Sequence, residues 1–315
     1  MKILVFGAGV IGSFNAARLT RGGHDVTLLA RGQRLAQLRE HGIVLESART
    51  GTRTTTRVPL VERLAPDDAY ELAVVVLRRN QVPSVLPVLA QATRVPSVLF
   101  LGNSVSGPRF LVEVVGYGRV LSGMANAGGE RQGHVVRYLW WRRLPLVLGE
   151  LDGRRSRRAL AIVSAFESAG LAARLHPDID AMLRTHAVGV PLFAGALYRA
   201  GGSVRRLARR PDLLRLCVES QREAMRALKR LGIRPAPAGT SMVLGLPTPA
   251  LVLALRLFLD TDLAVVGGER HANVALDEMK ELADEVRQLL RQTDMIAPAS
   301  QELLAAVDAR VRGET

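Results

Sequence analysis

The chain has 315 residues, which is long for one typical domain and sufficient for two, and 48% of them are hydrophobic. Its formal net charge is +14, yet arginine supplies almost all of the excess and aromatic residues make up only 4%. Because the arginines are dispersed, with no basic tail or stacking platform, we expect a solvated surface that attracts anionic substrates, and no nucleic-acid partner.

The apolar stretches and the cysteine count exclude further classes. Ala250–Leu259 is too short to span a bilayer, so we expect a buried helix there and no membrane association. The chain enters a strand at Lys2–Phe6 with no basic n-region ahead of it, which favours a cytoplasmic protein without a signal peptide. The single cysteine, Cys217, excludes internal disulfides and multi-cysteine zinc sites. We predict no metal site.

Strands and helices alternate in the first half of the chain, a pattern typical of a parallel sheet with helices on both faces. The Thr-rich stretch Arg49–Arg57 is typical of a hairpin or loop. We expect the last three predicted strands at the edge of the same sheet. The predicted strands are Ile3–Phe6, Asp25–Ala30, Leu72–Leu77, Ser97–Leu101, Arg119–Met124, His134–Leu139 and Leu144–Leu148, and the predicted helices are Ile11–Arg21, Gln81–Ala92 and Ser156–Ala169.

From about Pro177 onward the pattern becomes helical, without a strand of comparable quality. The predicted helices are Asp178–Ala200, Pro211–Leu231, Pro249–Leu259 and His271–Arg291. The fold class is therefore α/β, with a doubly wound Rossmann-type domain at residues 1–174 and an all-helical domain at residues 175–315. We expect the active site between the two domains.

The motif GAGVIG directly follows a strand and opens a helix. Gly7 permits a tight turn, Gly9 lets a pyrophosphate approach the backbone, and Gly12 lets the helix pack closely on the strand. Val10 and Ile11 begin the helix, whose N-terminal N–H groups would face the phosphates. Although such a hexapeptide alone is a weak signal, its strand–turn–helix–strand setting predicts a dinucleotide site.

The end of the second strand indicates which dinucleotide is bound. An NAD site usually has an acid about 20 residues beyond the glycines, where it holds the ribose hydroxyls. Here the strand is followed by Arg31, and the nearest acid, Asp25, lies at the strand's start. Arg31 can pair with a 2′-phosphate, and Arg34 could add a second charge. We therefore predict NADPH/NADP, while an ordinary surface role for Arg31 stays open.

At this point the chain resembles the ketopantoate reductase family over nearly its full length. The family implies an N-terminal dinucleotide fold, a helical C-terminal domain, and reduction of a 2-keto acid with NADPH. The matching segments, in the family's order and spacing, are GAGVIG, LLARG after the second strand, Leu77–Gln81, Leu101–Ser104, Asp277–Met279 and Ile296–Pro298.

The resemblance assigns roles to three residues. Asn103 would end a strand beside the nicotinamide and bond its ribose or the substrate, Arg78 takes the place of a family lysine near the cofactor, and Glu278 would bind the substrate. Asn103 and Glu278 also have simpler explanations. Asparagine is a common turn former, and Glu278 lies on a polar helix with other acids.

The chain departs from the family at the general acid, a lysine followed by asparagines at i+4 and i+8. Alignment on Pro191 places Met182, His186 and Val190 at these positions, on one helical face. A thioether cannot protonate an alkoxide, so we predict His186 as the replacement proton donor, with a buried core histidine as the alternative. Arg184 points away from this face.

Two functional hypotheses remain. The first is an NADPH-dependent reductase of a 2-keto acid or related carbonyl compound, with hydride transfer between the domains, Asn103 and Glu278 beside His186, and ketopantoate as the leading substrate. The second is a catalytically silent NADP(H)-binding regulatory protein, which loss of the lysine would also fit. His271 precedes Glu278 by two helical turns and would share its face. A homodimer is plausible from the family's helical domains.

Overall fold

The computed structural model describes residues 1–262 and 264–314, which form two units. The α/β unit comprises Met1–Gly102 and Pro108–Asp180, and the helical unit comprises Asn103–Gly107 and the chain from Ala181 onward. The sequence placed the boundary at residues 174/175 and assigned 103–107 to the first domain. In the structure this short segment belongs to the helical unit, although both of its flanks belong to the α/β unit.

Two sheets form the scaffold of the α/β unit. The strands, in chain order, are β1 Lys2–Phe6, β2 Asp25–Leu29, β3 Ile43–Ser47, β4 Arg53–Thr56, β5 Leu60–Val61, β6 Leu72–Val75, β7 Val98–Leu101, β8 Val120–Met124, β9 Ala127–Gln132, β10 Val135–Trp140, β11 Leu146–Glu150 and β12 Ala173–Leu175. The helices of this unit are α1 Val10–Arg21, α2 Gly32–His41, α3 Leu86–Gln91, α4 Arg109–Val115 and α5 Arg157–Ser168, with a 3-10 helix at Arg79–Val85.

The main sheet has the order β12-β11-β8-β7-β6-β1-β2-β5. Its neighbouring strands are parallel except β8 and β11. The chain moves from β1 to β2 on one side and later returns to β6 on the other, so the topology reverses beside β1, where open α/β sheets bind ligands. Ile3, Leu4 and Val5 are fully buried, as expected for a strand covered on both faces. The predicted doubly wound sheet is confirmed.

The second sheet has the order β4-β3-β10-β9 and corrects one prediction. The segment predicted at His134–Leu139 does not extend the main sheet, since β10 pairs with β3 and β9. Its Tyr138 and Trp140 rings pack on Phe14 of α1, at centroid distances of 4.9 and 6.1 Å. An apolar pattern identifies a strand but not the sheet that it joins. The Thr-rich stretch forms the β3–β4 hairpin, as predicted.

The helical unit is built around α8, which packs against α10, α12 and α13. Its helices are α6 Ile179–Arg199, α7 Val204–Leu207, α8 Pro211–Arg230, α9 Thr240–Leu244, α10 Thr248–Leu259, α11 Arg270–Val274, α12 Leu276–Arg291 and α13 Pro298–Val311, with a π-helical segment at Ala264–Glu269. The carboxylate of Glu223 on α8 accepts the amides of Ala299 (3.2 Å) and Ser300 (2.7 Å) and so caps the start of α13.

Three predicted helices differ from the structure. The helix predicted at Gln81–Ala92 is a 3-10 helix followed by α3, because prolines at 83 and 87 remove backbone donors. The helix predicted at His271–Arg291 is divided into α11 and α12 at Ala275, whose φ and ψ are −110° and 48°. The helix predicted to be buried, α10, exposes one apolar face, with Leu253 57% and Leu257 63% accessible. In the described ranges, no helix is both long and apolar enough to cross a membrane.

Candidate active site

The GAGVIG turn has the backbone geometry that a dinucleotide-binding loop requires. Gly7 adopts a φ of +115°, and a side chain there would collide with the carbonyl oxygen of Val76. A side chain at Gly12 would collide with the carbonyl oxygen of Gly7, so α1 can start this close to the turn only with glycine. At Gly9 the space that a Cβ would fill is open, and Gly9 is also the N-cap of α1. A phosphate can therefore approach the first-turn N–H groups of this helix.

The two arginines after β2 have different environments. Arg31 is exposed, and its Nε donates to the carbonyl of Glu62 at 3.1 Å. Arg34 is buried and donates to the carbonyls of Ala8 and His134 and to the hydroxyl of Ser13, each at 3.1 Å. Burial lowers the pKa of Arg34 to about 10. Arg34 therefore supports the glycine turn from within, which corrects the expectation that it adds a second charge for the 2′-phosphate.

Arg78 lies near the glycine turn because β1 and β6 are parallel neighbours with Phe6 opposite Val75. It is half-buried and N-caps the 3-10 helix, where its amide meets the side chain of Gln81 at 3.3 Å. The adjacent Arg79 stacks on Phe110, with 4.1 Å from its guanidinium carbon to the ring centroid. Arg78 thus stands in the turn that follows β6, at the edge of the sheet where GAGVIG follows β1.

A polar cluster in the helical unit joins two of the predicted residues. Nδ2 of Asn103 lies 3.5 Å from Oε1 of Glu278, and Nε2 of His271 lies 3.3 Å from Oε2 of the same carboxylate. The Glu278 side chain is 4% exposed and that of His271 is 41% exposed. In the chain, Asn103 comes two residues after the end of β7. We call Asn103, His271 and Glu278 the carboxylate cluster.

The predicted face of α6 has mixed accessibility. Met182 is buried, Val190 is half-buried, and His186 is exposed. Although part of its surface is accessible, the imidazole of His186 is surrounded by protein atoms, and this desolvation lowers its pKa. The charge of a protonated His271 lowers it further. His186 is therefore close enough to His271 for their charges to oppose each other. A depressed pKa favours the neutral imidazole at neutral pH.

Sequence reasoning missed Glu285, which holds the segment between Asn103 and Gly107. Its buried carboxylate accepts the amides of Val105 (2.6 Å) and Ser106 (3.2 Å) and the Ser106 hydroxyl (2.8 Å). Glu285 lies seven residues after Glu278, on the same face of α12. The sequence held a signal for its burial, because Glu285 occurs at an apolar-periodic position beside Val286, but none for its partner. The guanidinium of Arg184 packs against Gly107, on the other end of the segment.

Comparison with known proteins gives a family match over the first half. Residues 3–153 match the model of the family described as ketopantoate reductase PanE/ApbA. The chain is also 28% identical to 2-dehydropantoate 2-reductase of Pyrococcus horikoshii over 131 residues, 41% of this chain and 40% of that protein. The matched part therefore spans less than half of this curated relative's length.

Solved structures share the fold over the whole chain. A PanE/ApbA family ketopantoate reductase from Ralstonia eutropha JMP134 has a TM-score of 0.80 at 18% identity, covering 100% of this chain and 99% of that one. A D-mandelate dehydrogenase, solved with NADH and anilino(oxo)acetate, has a TM-score of 0.80 at 16% identity with the same coverage. The resemblance read from the motifs is confirmed: residues 3–153 match the ketopantoate reductase family, and solved ketopantoate reductases share the fold.

Proposed function

We propose that this protein is an NADPH-dependent reductase of a 2-keto acid or a related carbonyl compound. The observation that carries the proposal is the contact between Asn103 and Glu278, which lie 175 residues apart in the chain. These are the two residues to which the family resemblance assigns ligand binding, and the fold brings them together. A buried carboxylate beside an amide and an imidazole can hold a polar ligand in a fixed orientation.

The cofactor proposal rests on the turn after β1. The open space at Gly9 and the uncapped start of α1 fit a pyrophosphate, so Gly7, Gly9, Val10, Ile11 and Gly12 would hold it. When bound, the nicotinamide supplies a hydride to the carbonyl carbon. Arg78 would add positive charge at the same sheet edge.

The choice of NADPH over NADH rests on Arg31. Its guanidinium is exposed and oriented by the carbonyl of Glu62, and a 2′-phosphate can pair with it. The D-mandelate dehydrogenase structure carries NADH, so both cofactors belong in the assay.

The substrate proposal assigns Glu278 and Asn103 to binding the 2-keto acid, with ketopantoate as the first compound to try. Asn103 donates hydrogen bonds, and Glu278 accepts them from a substrate hydroxyl or orients its neighbours. His186 remains the sequence's prediction for the proton donor, on the face of α6 where the family has its lysine. As an exposed imidazole it can contact a ligand in either charge state.

The test is oxidation of NADPH by the purified protein with ketopantoate and a panel of other 2-keto acids and ketones. We expect turnover of at least one of them, and Glu278→Gln should reduce kcat/KM while NADPH affinity stays within twofold. Glu281→Gln, a neighbouring acid on α12 without a described partner, is the matched control. Tight NADPH binding with no turnover on the whole panel would overturn the reductase proposal.

A second function is favoured by one observation. Met182, buried and apolar, stands where the family resemblance expects the catalytic lysine. A regulatory protein that binds NADP(H) without catalysis does not need this lysine and would keep its function with Met182. This second function predicts NADPH binding with no reduction of any carbonyl compound, so turnover separates the two functions.

A further inference from the structure

The carboxylate of Glu278 lies within ion-pair distance of the imidazole of His271. Its Oε2 lies 3.3 Å from Nε2 of His271, while its own side chain is almost fully buried. A buried carboxylate is expensive to ionise unless a cation or strong donors accompany it. The imidazole of His271 and the amide of Asn103 are two of the groups that accompany this carboxylate.

The second nitrogen of His271 is available to a ligand. With Nε2 directed at Glu278, Nδ1 has no hydrogen-bond partner among residues 1–262 and 264–314. An imidazolium carries an N–H on both nitrogens, so one can donate to Glu278 and the other to a bound molecule. Because the side chain is 41% exposed, it can also recover a proton from water.

His186 has the opposite surroundings. Its imidazole makes no hydrogen bond in the described part of the chain, and desolvation by the surrounding protein, together with the charge of a protonated His271, lowers its pKa. Of the two histidines, His271 is the one that has a carboxylate within ion-pair distance among the described residues.

We propose that His271, held by Glu278, and not His186, is the proton donor of the reduction. The inference rests on the proposed reductase function. As the hydride and its two electrons reach the carbonyl carbon, the π electron pair moves to the oxygen, and that oxygen takes the proton from Nδ1 of His271. The products are the hydroxy acid, the oxidised nicotinamide and a neutral His271, which regains a proton from solvent.

Other charged groups lie on the elements around His271. α11 also carries Arg270 and packs against the π-helical segment, which ends at Glu269, and against α12, whose first turn carries Asp277 and Glu278. Glu269 accepts the amide of Val204 at 2.7 Å, and His186 lies close on α6.

The experiment compares single variants in NADPH-dependent reduction of the best substrate from the panel. His271→Gln should lower kcat by about a hundredfold, with NADPH affinity retained as evidence of folding. His186→Gln should lower it by less than tenfold. His41→Gln, which removes a surface histidine paired with Glu40 at 3.5 Å, is the matched control and should not change kcat.

Chemical rescue separates catalysis from structure. Added imidazole should restore part of the activity of His271→Ala, with a pH dependence that follows imidazolium, because the site is open to solvent. Near-wild-type kcat in His271→Gln, or a loss confined to His186→Gln, would overturn this inference and leave the reductase proposal intact. No turnover by the wild-type protein would overturn both.

Discussion

The carboxylate of Glu278 and the imidazole of His271 approach to 3.3 Å although they lie on different helices, α12 and α11. The break at Ala275 turns α11 out of line with α12, and the pair forms across it. On the continuous helix that the sequence predicted, the two residues would share a face two turns apart, about 10 Å along the axis. The break therefore makes a contact that a straight helix would not allow.

Asn103 is predicted to contribute to substrate binding through its amide. Replacing Asn103 with Ala should raise KM for the keto acid by about tenfold, because the loss of one hydrogen bond to a polar ligand weakens binding by about that factor. Asn103→Asp should be worse, because it sets a second carboxylate 3.5 Å from Glu278. Steady-state kinetics would measure both changes. Equal KM values in wild type and both variants would exclude Asn103 from the site.

Glu285 is predicted to position Asn103 through the 103–107 segment. Glu285→Ala removes the acceptor of two amides and one hydroxyl, so the free energy of unfolding should fall by about 2 kcal/mol. Denaturant unfolding measures this loss, and Glu281→Gln on the same helix should change stability by less than about 0.5 kcal/mol. If the segment positions Asn103, Glu285→Gln should also raise KM for the keto acid more than it lowers kcat.

Two substitutions in the glycine turn should differ in their effect on the stability of the protein. Gly9→Val fills open space at an ordinary φ of −71°, so the protein should fold with wild-type stability but lose NADPH affinity by at least about tenfold. Gly12→Val drives a side chain into the Gly7 carbonyl and should lower stability as well. Thermal unfolding and NADPH titration would test both. Unchanged affinity in Gly9→Val would contradict the assignment of the phosphates to this turn.

Arg31 is predicted to set the preference for NADPH. Arg31→Ala should weaken NADPH binding by about tenfold while NADH binding stays within twofold, since only NADPH carries the 2′-phosphate. Arg34→Ala is the contrasting variant, because its guanidinium supports the turn itself through the Ala8 carbonyl. It should weaken both cofactors and lower stability. If Arg31→Ala lost affinity for NADH and for NADPH to the same extent, Arg31 would have no role in cofactor specificity.

Much of the architecture follows from local sequence. The apolar runs Lys2–Phe6 and Leu72–Val75 and the glycines between β1 and α1 identify the doubly wound sheet, because buried parallel strands leave continuous apolar segments. Sheet membership does not follow in the same way, since the apolar pattern of β10 would suit a strand of either sheet. No glycine or proline marks the break at Ala275, so helical periodicity continues through it.

The candidate site was only partly predictable for the same reason. Motif spacing identified Asn103 and Glu278 separately, and the structure brings them together. Pairing of His271 with Glu278 depends on the break at Ala275, and the role of Glu285 depends on a loop 180 residues away. Long-range contacts of this kind leave no local pattern.

The most direct test of the reductase proposal is hydride transfer itself, followed with NADPH deuterated at its transferable position. Incubation with the best 2-keto acid should give a hydroxy acid that carries deuterium on the former carbonyl carbon, and Gly9→Val, which should not hold the cofactor, should give much less. A 2-hydroxy acid without deuterium, or no reduced product from any keto acid despite NADPH binding, would contradict the account.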